Sequence, residues 1–440
     1  MMVLHRMHRT YDNDEFHHLD LIRPTNLGTR AGDDGCTNYR TGLRDPLVVH
    51  YCRATSKHER WATVKFRVER EVLAEAVTWV ARALPNRAPV PVLAGLLIEA
   101  GDDDTVTLSA YDYEISARLT IAAEVSEAGT VLVLGRLLAD ICRNLPNRPI
   151  ELAADGHKVQ VTCGSSRFAL LQMPADDYPT LPISPEGSGT IDGTTFTQAV
   201  AQVAVAADRG DTLPILTGVR VEIEGDTMTL LATDRYRLAM RELTWSPQAT
   251  DANHVALVPA RLLSDTAKSL GASGSVEIAL GSAAGGDGLV GFEAGSRRTT
   301  TRLLDGEYPK VTSIFPTSVE TEAVVDTAAL VEAVKRVSLV AERNTPVRLR
   351  FTDGQVSIEA GAGDDAQASE AVECTLTGPE IEIGFNPHFL LDGLGAVGTP
   401  LTRLQFTQPS RPAVLCGQSE PGAAPDLRYR YVLMPVRFPA

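Results

Sequence analysis

The chain has 440 residues, a formal charge of −15, and 44% apolar but only 5% aromatic residues, which is material for about three packed domains. This composition excludes a disordered chain, which would lack core residues, and a collagen-like one, which would need far more glycine. No apolar run approaches the roughly 18 residues of a membrane-spanning helix, and the six cysteines (Cys36, Cys52, Cys142, Cys163, Cys374, Cys416) form no C-x-x-C pair, so a cytoplasmic protein with reduced thiols is expected.

In chain order, residues 1–63 come first as a poorly structured extension. They hold His5, His8, His17, His18, His50 and His58 without helical or strand periodicity, and no pair has the spacing and supporting carboxylate of a zinc site. No methionine lies between Met7 and Met173, which makes Val64 a candidate initiator. An intact mass retaining residues 1–63 in the native protein would overturn that expectation.

The rest of the chain is written three times. Leu73–Val77 returns as Phe196–Val200 and again as Leu330–Val334, so Ala76, Ala199 and Ala333 are equivalent. Pro91–Gly95 matches Pro214–Gly218, and Asp177-Tyr178-Pro179 and Glu307-Tyr308-Pro309 end the first two copies. The predicted domains are 64–184, 188–316 and 319–440.

Each copy opens on a helix. In the first, Leu73, Ala76, Val77, Val80 and Leu84 form one apolar stripe. Alternating strands follow, joined by turns such as Gly225-Asp226 and Asp353-Gly354. Second helices are predicted over 136–145, 260–270 and 387–395, introduced by Gly135, Pro259 and Pro387. The fold class is α+β: two helices per copy packed on antiparallel sheets.

Cations recur on these helices although the chain is acidic. Arg136 and Arg261 occupy the same place in two copies, and Arg209, Lys268 and Lys335 also lie in or beside helices. A basic helical face on an acidic body suits a duplex phosphate backbone held without sequence preference. No nucleotide-binding, nucleophile-elbow or H-E-x-x-H motif is present. The run Asp102–Asp104 reads as solvated turn acids, and Cys142 and Cys163 as buried structural thiols. No catalytic residue, metal site or cofactor is expected.

Three copies, a basic helical face and three stretches of wording together resemble the bacterial DNA polymerase III β sliding clamps, in their actinobacterial form. The stretches are Ala232-Thr233-Asp234-Arg235-Tyr236-Arg237-Leu238-Ala239, Asp211–Gly218 and the terminal Tyr431–Phe438. The resemblance covers about 64–440. It implies a non-catalytic processivity factor, a head-to-tail homodimer ring around double-stranded DNA. Its partners would be the polymerase III catalytic subunit, a clamp loader and other replication and repair proteins, with no membrane. By resemblance Arg87, Arg143 and Arg261 face the DNA backbone. Helix position adds Arg136, Arg209, Lys268 and Lys335.

The resemblance also implies a pocket for client peptides between domains two and three. Carried over by motif, its wall is Leu216, Thr233, Tyr236, Arg237, Leu238, Pro309, Ile314, Val432, Met434, Pro435, Val436 and Arg437. Ring closure would pair Phe168 and Leu170 with Leu339 and Val340. Arg235 stands where the family pattern has Gly, and Ser313 where it often has Arg; both bear on client choice. The alternatives are a second-copy clamp with a remodelled pocket and a three-repeat scaffold that never closes.

Overall fold

The computed structural model describes residues 63–440 apart from 211, 272–273, 282–287, 317, 342–344, 362–365 and 438–440, with Thr312 and the short strands at 37–39 and 49–51 described in backbone only. The expectations for the histidine-bearing extension therefore lie outside the described residues. Val64 is described, and it is fully buried.

Six α-helices appear among the described residues, two per repeat: α1 (Arg70–Val80), α2 (Gly135–Asn144), α3 (Gly193–Ala204), α4 (Ala260–Leu270), α5 (Thr327–Val337) and α6 (Pro387–Val397). Their starts are set locally. Asp192 and Asp326 occupy equivalent positions and accept the amides of Thr195 and Ala329 at 2.8 Å, capping α3 and α5. Asn386 caps α6, with Pro387 in the first turn where a missing amide costs nothing.

The stripe predicted for the first helix is buried, but α1 ends at Val80 and tightens into a 3₁₀ turn over Ala81–Ala83. Leu84 lies beyond it in an extended conformation, because Pro85 disfavours a helical residue before it. It is still buried.

The strands make sheets that ignore the repeat boundaries. A nine-stranded sheet runs from repeat two into repeat one, and a twelve-stranded sheet runs from repeat two into repeat three. A five-stranded sheet completes repeat one. All pairings are antiparallel among the described strands, and helices pack pairwise against them, α1 with α2, α3 with α4 and α5 with α6. Gly393 lets α6 approach the sheet closely: a Cβ there would lie 2.4 Å from the Tyr431 ring.

Cys142, Cys163, Cys374 and Cys416 are free and buried, and burial pushes the Cys142 thiol up to about 12, far from thiolate chemistry. Within the acidic run, Asp103 accepts the Thr105 hydroxyl at 2.7 Å and Asp104 accepts the Val125 amide at 3.1 Å, so both shape a turn. No helix among the described residues is long and apolar enough to cross a membrane.

Candidate functional site

Two joints hold the repeats together, and both use the same strand geometry. At the first, Arg297–Thr301 of repeat two pairs with Ile115–Leu119 of repeat one. At the second, Tyr429–Leu433 of repeat three pairs with Arg237–Arg241 of repeat two. One further amide closes each seam: Arg302 N donates to Glu114 O at 3.0 Å, and Met434 N to Tyr236 O at 2.9 Å.

The side chains on the two joints differ in kind. At the second, Leu231 lies opposite Met240 and Leu238 opposite Val432. These four belong to an apolar cluster separate from the main core, which also contains Leu216, Leu257, Tyr308, Val311 and Val414. At the first joint the same pairs read Ser109 with Arg118 and Ser116 with Thr300. One backbone arrangement therefore supports an apolar seat at one joint only.

The structure brings most of the residues predicted for the peptide pocket to that apolar joint. Leu216, Leu238 and Val432 are buried in the cluster, and Ile314 and Phe315 pack beside it. Met434, Pro435 and Val436 are half-buried, Pro309 and Arg437 are exposed, and Tyr236 is 56% exposed. Thr233 is buried, and its hydroxyl donates to Arg237 O at 2.6 Å and accepts the Arg235 amide at 3.1 Å.

Arg237 is placed differently from the rest of the predicted wall. Its guanidinium donates to Asp234 at 2.9 Å and to Asp392 on α6, and lies 4.4 Å from the centre of the Phe389 ring. It ties repeats two and three together behind the cluster instead of offering a free charge to it. Phe389, which also stacks on Tyr236 with centroids 6.1 Å apart, and Asp392 were not legible as site residues. Both look like ordinary positions on an apolar helix in the sequence.

The predicted DNA-facing cations are all exposed, and most gather on the helix side of the first joint. Arg136, Arg143, Arg261 and Lys268 border one cleft of about 940 Å³, together with Arg82. Asp112, Glu114, Asp140 and Asp265 line it too. Arg209 and Arg261 border a second cleft of about 860 Å³. Arg136 is held by three acceptors on the loop after α1, the carbonyls of Leu84 and Pro85 and the Asn86 side chain. Arg143 pairs with Asp140. Arg87 lies exposed on that loop. Lys335 stands apart on α5, bonded to Glu332 at 2.8 Å.

Of the residues expected to close a dimer, Leu339 is 84% exposed and Phe168 42%. Val340 is half-buried. Leu170 departs from expectation: it is 3% exposed, packed in the core, because the pleat directs it inward opposite Val159. Its neighbour Leu171, 67% exposed, takes the outward position.

Family models for the N-terminal, central and C-terminal domains of the DNA polymerase III beta subunit match residues 64–182, 190–310 and 312–437 in turn. This chain belongs to the DNA polymerase III beta subunit family, the bacterial sliding clamps. It is 56% identical over 374 residues to the beta sliding clamp of Streptomyces coelicolor, covering 85% of this chain and 99% of that one. Against the beta sliding clamp of Micrococcus luteus it is 58% identical, over 71% of this chain and all of the relative. It is also 48% identical to the beta sliding clamp homolog GriR of Streptomyces muensis, over 85% of this chain and 100% of that one. The crystal structure of the Bacillus subtilis DNA polymerase sliding clamp superimposes with a TM-score of 0.79 at 28% identity, over 85% of this chain and 99% of that one.

For a sliding clamp, the departure at Arg235 has a backbone consequence. Arg235 sits in the left-handed region at φ 79, and Tyr113, its equivalent in repeat one, at φ 76. Asp234 and Asp112 make the same turn, each accepting two following amides. A side chain at such a φ costs about 1–2 kcal/mol relative to glycine, offset by roughly 0.5–1 kcal/mol of glycine's extra chain entropy. Arg235→Gly is therefore expected to stabilise the clamp by up to about 1 kcal/mol, read as a raised urea midpoint. An unchanged or lowered midpoint would show that the contact of Arg235 with the Tyr236 ring, 5.9 Å away, outweighs the strain.

Proposed function

We propose that this chain is a non-catalytic DNA polymerase processivity factor, a clamp that closes head to tail with a second copy around duplex DNA and tethers polymerase III and other clients through the apolar joint. One observation carries the ring. Each in-chain joint pairs the last strand of a hairpin, Arg297–Arg302 or Asp426–Leu433, with a strand that follows another hairpin, Ile115–Ala122 or Arg237–Thr244. The equivalent strands left over are Ser166–Leu171 in repeat one and Ala368–Glu373 in repeat three. Among the described residues Ser166–Leu171 is paired on one side only, and Ala368–Glu373, the first part of the strand Ala368–Thr377, pairs only with Gln355–Ala360, while Cys374–Thr377 pairs with Glu322–Val325. A second copy would supply both missing partners by the same pairing, a heterologous contact that closes.

The scaffold alternative leaves those two strand edges open, an arrangement that natural sheets avoid. A ring kept on DNA by its topology needs only weak phosphate contacts, and weak contacts without register permit sliding. Family membership supports opening by a clamp loader and work in the cytoplasm. The deciding experiment is retention on nicked circular DNA after treatment with clamp loader and ATP, followed by linearisation. Loss from linear DNA at moderate salt is the expected result, and equal retention on both forms would overturn the ring.

The apolar joint suits a short peptide with aliphatic or aromatic anchors, because Met434 can adapt its shape and the cluster behind it is apolar and buried. Met434→Glu is expected to weaken a polymerase-derived peptide at least about tenfold, since it puts a charge where an apolar anchor would be desolvated. Fluorescence anisotropy with the labelled peptide reads this, and unchanged affinity would move the client site elsewhere.

A further inference from the structure

We propose that the duplex is held off the ring axis, against the joint of repeats one and two, and that the helices of repeat three contribute almost no attraction. This rests on the clamp function proposed above and adds where within the ring the DNA is drawn.

The helix-side cations divide by whether they already have a partner. Among the described residues Arg82, Arg87, Arg209, Arg261 and Lys268 make no hydrogen bond or ion pair, and all belong to repeats one and two. Among the described residues of the helices of repeat three the opposite holds. On α5, Lys335 is bonded to Glu332, and Arg336 is engaged by both Glu370 and Glu332. Helix α6 has no lysine or arginine, and it carries Asp392, which is bound to Arg237.

The free cations also converge in space. Arg82 after α1 and Lys268 in the last turn of α4 border a common cleft of about 600 Å³ with Arg70, Arg297 and Arg143, the last of these already paired with Asp140. Only two carboxylates border it, Glu71 and Glu75, and Glu75 is paired with Arg297. This cleft shares Thr78, Trp79 and Arg82 with the larger cleft at the same joint, so the basic surface is continuous. A cation already neutralised by a carboxylate releases little counterion on meeting phosphate, whereas each free one contributes to affinity and to its salt dependence. The attraction is therefore lopsided by construction.

The test uses the full chain and a duplex of about 30 base pairs at about 50 mM salt, without loader, so that it reads contact whether or not a ring closes. A photo-crosslinking phenylalanine is placed singly at Asn86 and Asp265, beside the joint of repeats one and two, and at Ala329 and His388 on the helices of repeat three. Crosslinking at least about fivefold stronger from the first two positions is expected. Equal yields, or stronger yields from Ala329 and His388, would overturn the proposal.

Independently, Arg82→Ser/Arg261→Ser/Lys268→Ser should weaken the duplex about tenfold or more and flatten the salt dependence by about 2 to 3 in logarithmic slope. An unchanged slope in a protein of unchanged melting temperature would overturn it too. Failure here alongside loss of the clamp from linearised DNA would leave the ring standing and remove only the off-axis seat. Success here alongside equal retention on linear DNA would remove the ring and leave only duplex contact at the joint of repeats one and two.

Discussion

Changing Phe168 and Leu339 together to aspartate is expected to leave a monomer that folds normally but is not retained on circular DNA. Leu339 is 84% and Phe168 42% exposed in the single chain, and neither belongs to the buried core, so neither change removes a core side chain. In the ring each would be buried at the pairing of Ser166–Leu171 with repeat three of the other copy. Burial of such a side chain contributes about 1.5–3 kcal/mol, and a buried unpaired carboxylate costs more. The dissociation constant should therefore rise by at least about a hundredfold. Sedimentation velocity checks it directly. A dimer surviving at micromolar concentration would show that the two open strand edges do not meet, and the ring would have to close elsewhere.

Arg237→Ala is the second large effect, acting on the integrity of the chain. The guanidinium is nearly inaccessible and bridges Asp234 in repeat two to Asp392 in repeat three, beside Tyr431 and over Phe389. Removing one member of a buried ion pair costs about 3–5 kcal/mol, because the remaining charges lose their compensation. The expected result is a urea unfolding curve that shifts to lower denaturant and splits, with repeat three released first. Adding Asp392→Asn should recover part of the loss, since it removes one stranded carboxylate. A double variant no better than the single would show that packing against Phe389, not charge, is what Arg237 supplies.

How much of this was legible beforehand differs by feature. The repeats, six helices, hairpin turns and absence of catalytic wording follow from periodicity and spacing, because those are local properties of contiguous residues. The helix predicted over 260–270 matches α4, whose start at Pro259 and end at Gly271 are written in the residues themselves. Family membership was likewise legible in Ala232–Ala239 and Tyr431–Phe438, wording carried by side chains that a joint and its pocket require.

What the sequence could not decide was everything set by partners distant in the chain. Whether Lys335 or Lys268 is a free charge depends on Glu332 beside one and on the empty cleft beside the other. Leu170 and Leu171 are equally apolar as letters, and only the register with Val159 buries the first and exposes the second. Arg237 reads as pocket wall in the sequence, and only the fold shows that Asp392, 155 residues away, holds its guanidinium. The contrast between an apolar joint and a hydroxyl-lined one appears only when Leu238 is set against Val432 and Ser116 against Thr300. Local sequence determines which elements form, because helix and hairpin energetics are short-ranged; tertiary structure decides which charges stay free and which apolar faces stay open, because neutralisation and burial depend on what arrives from elsewhere in the chain.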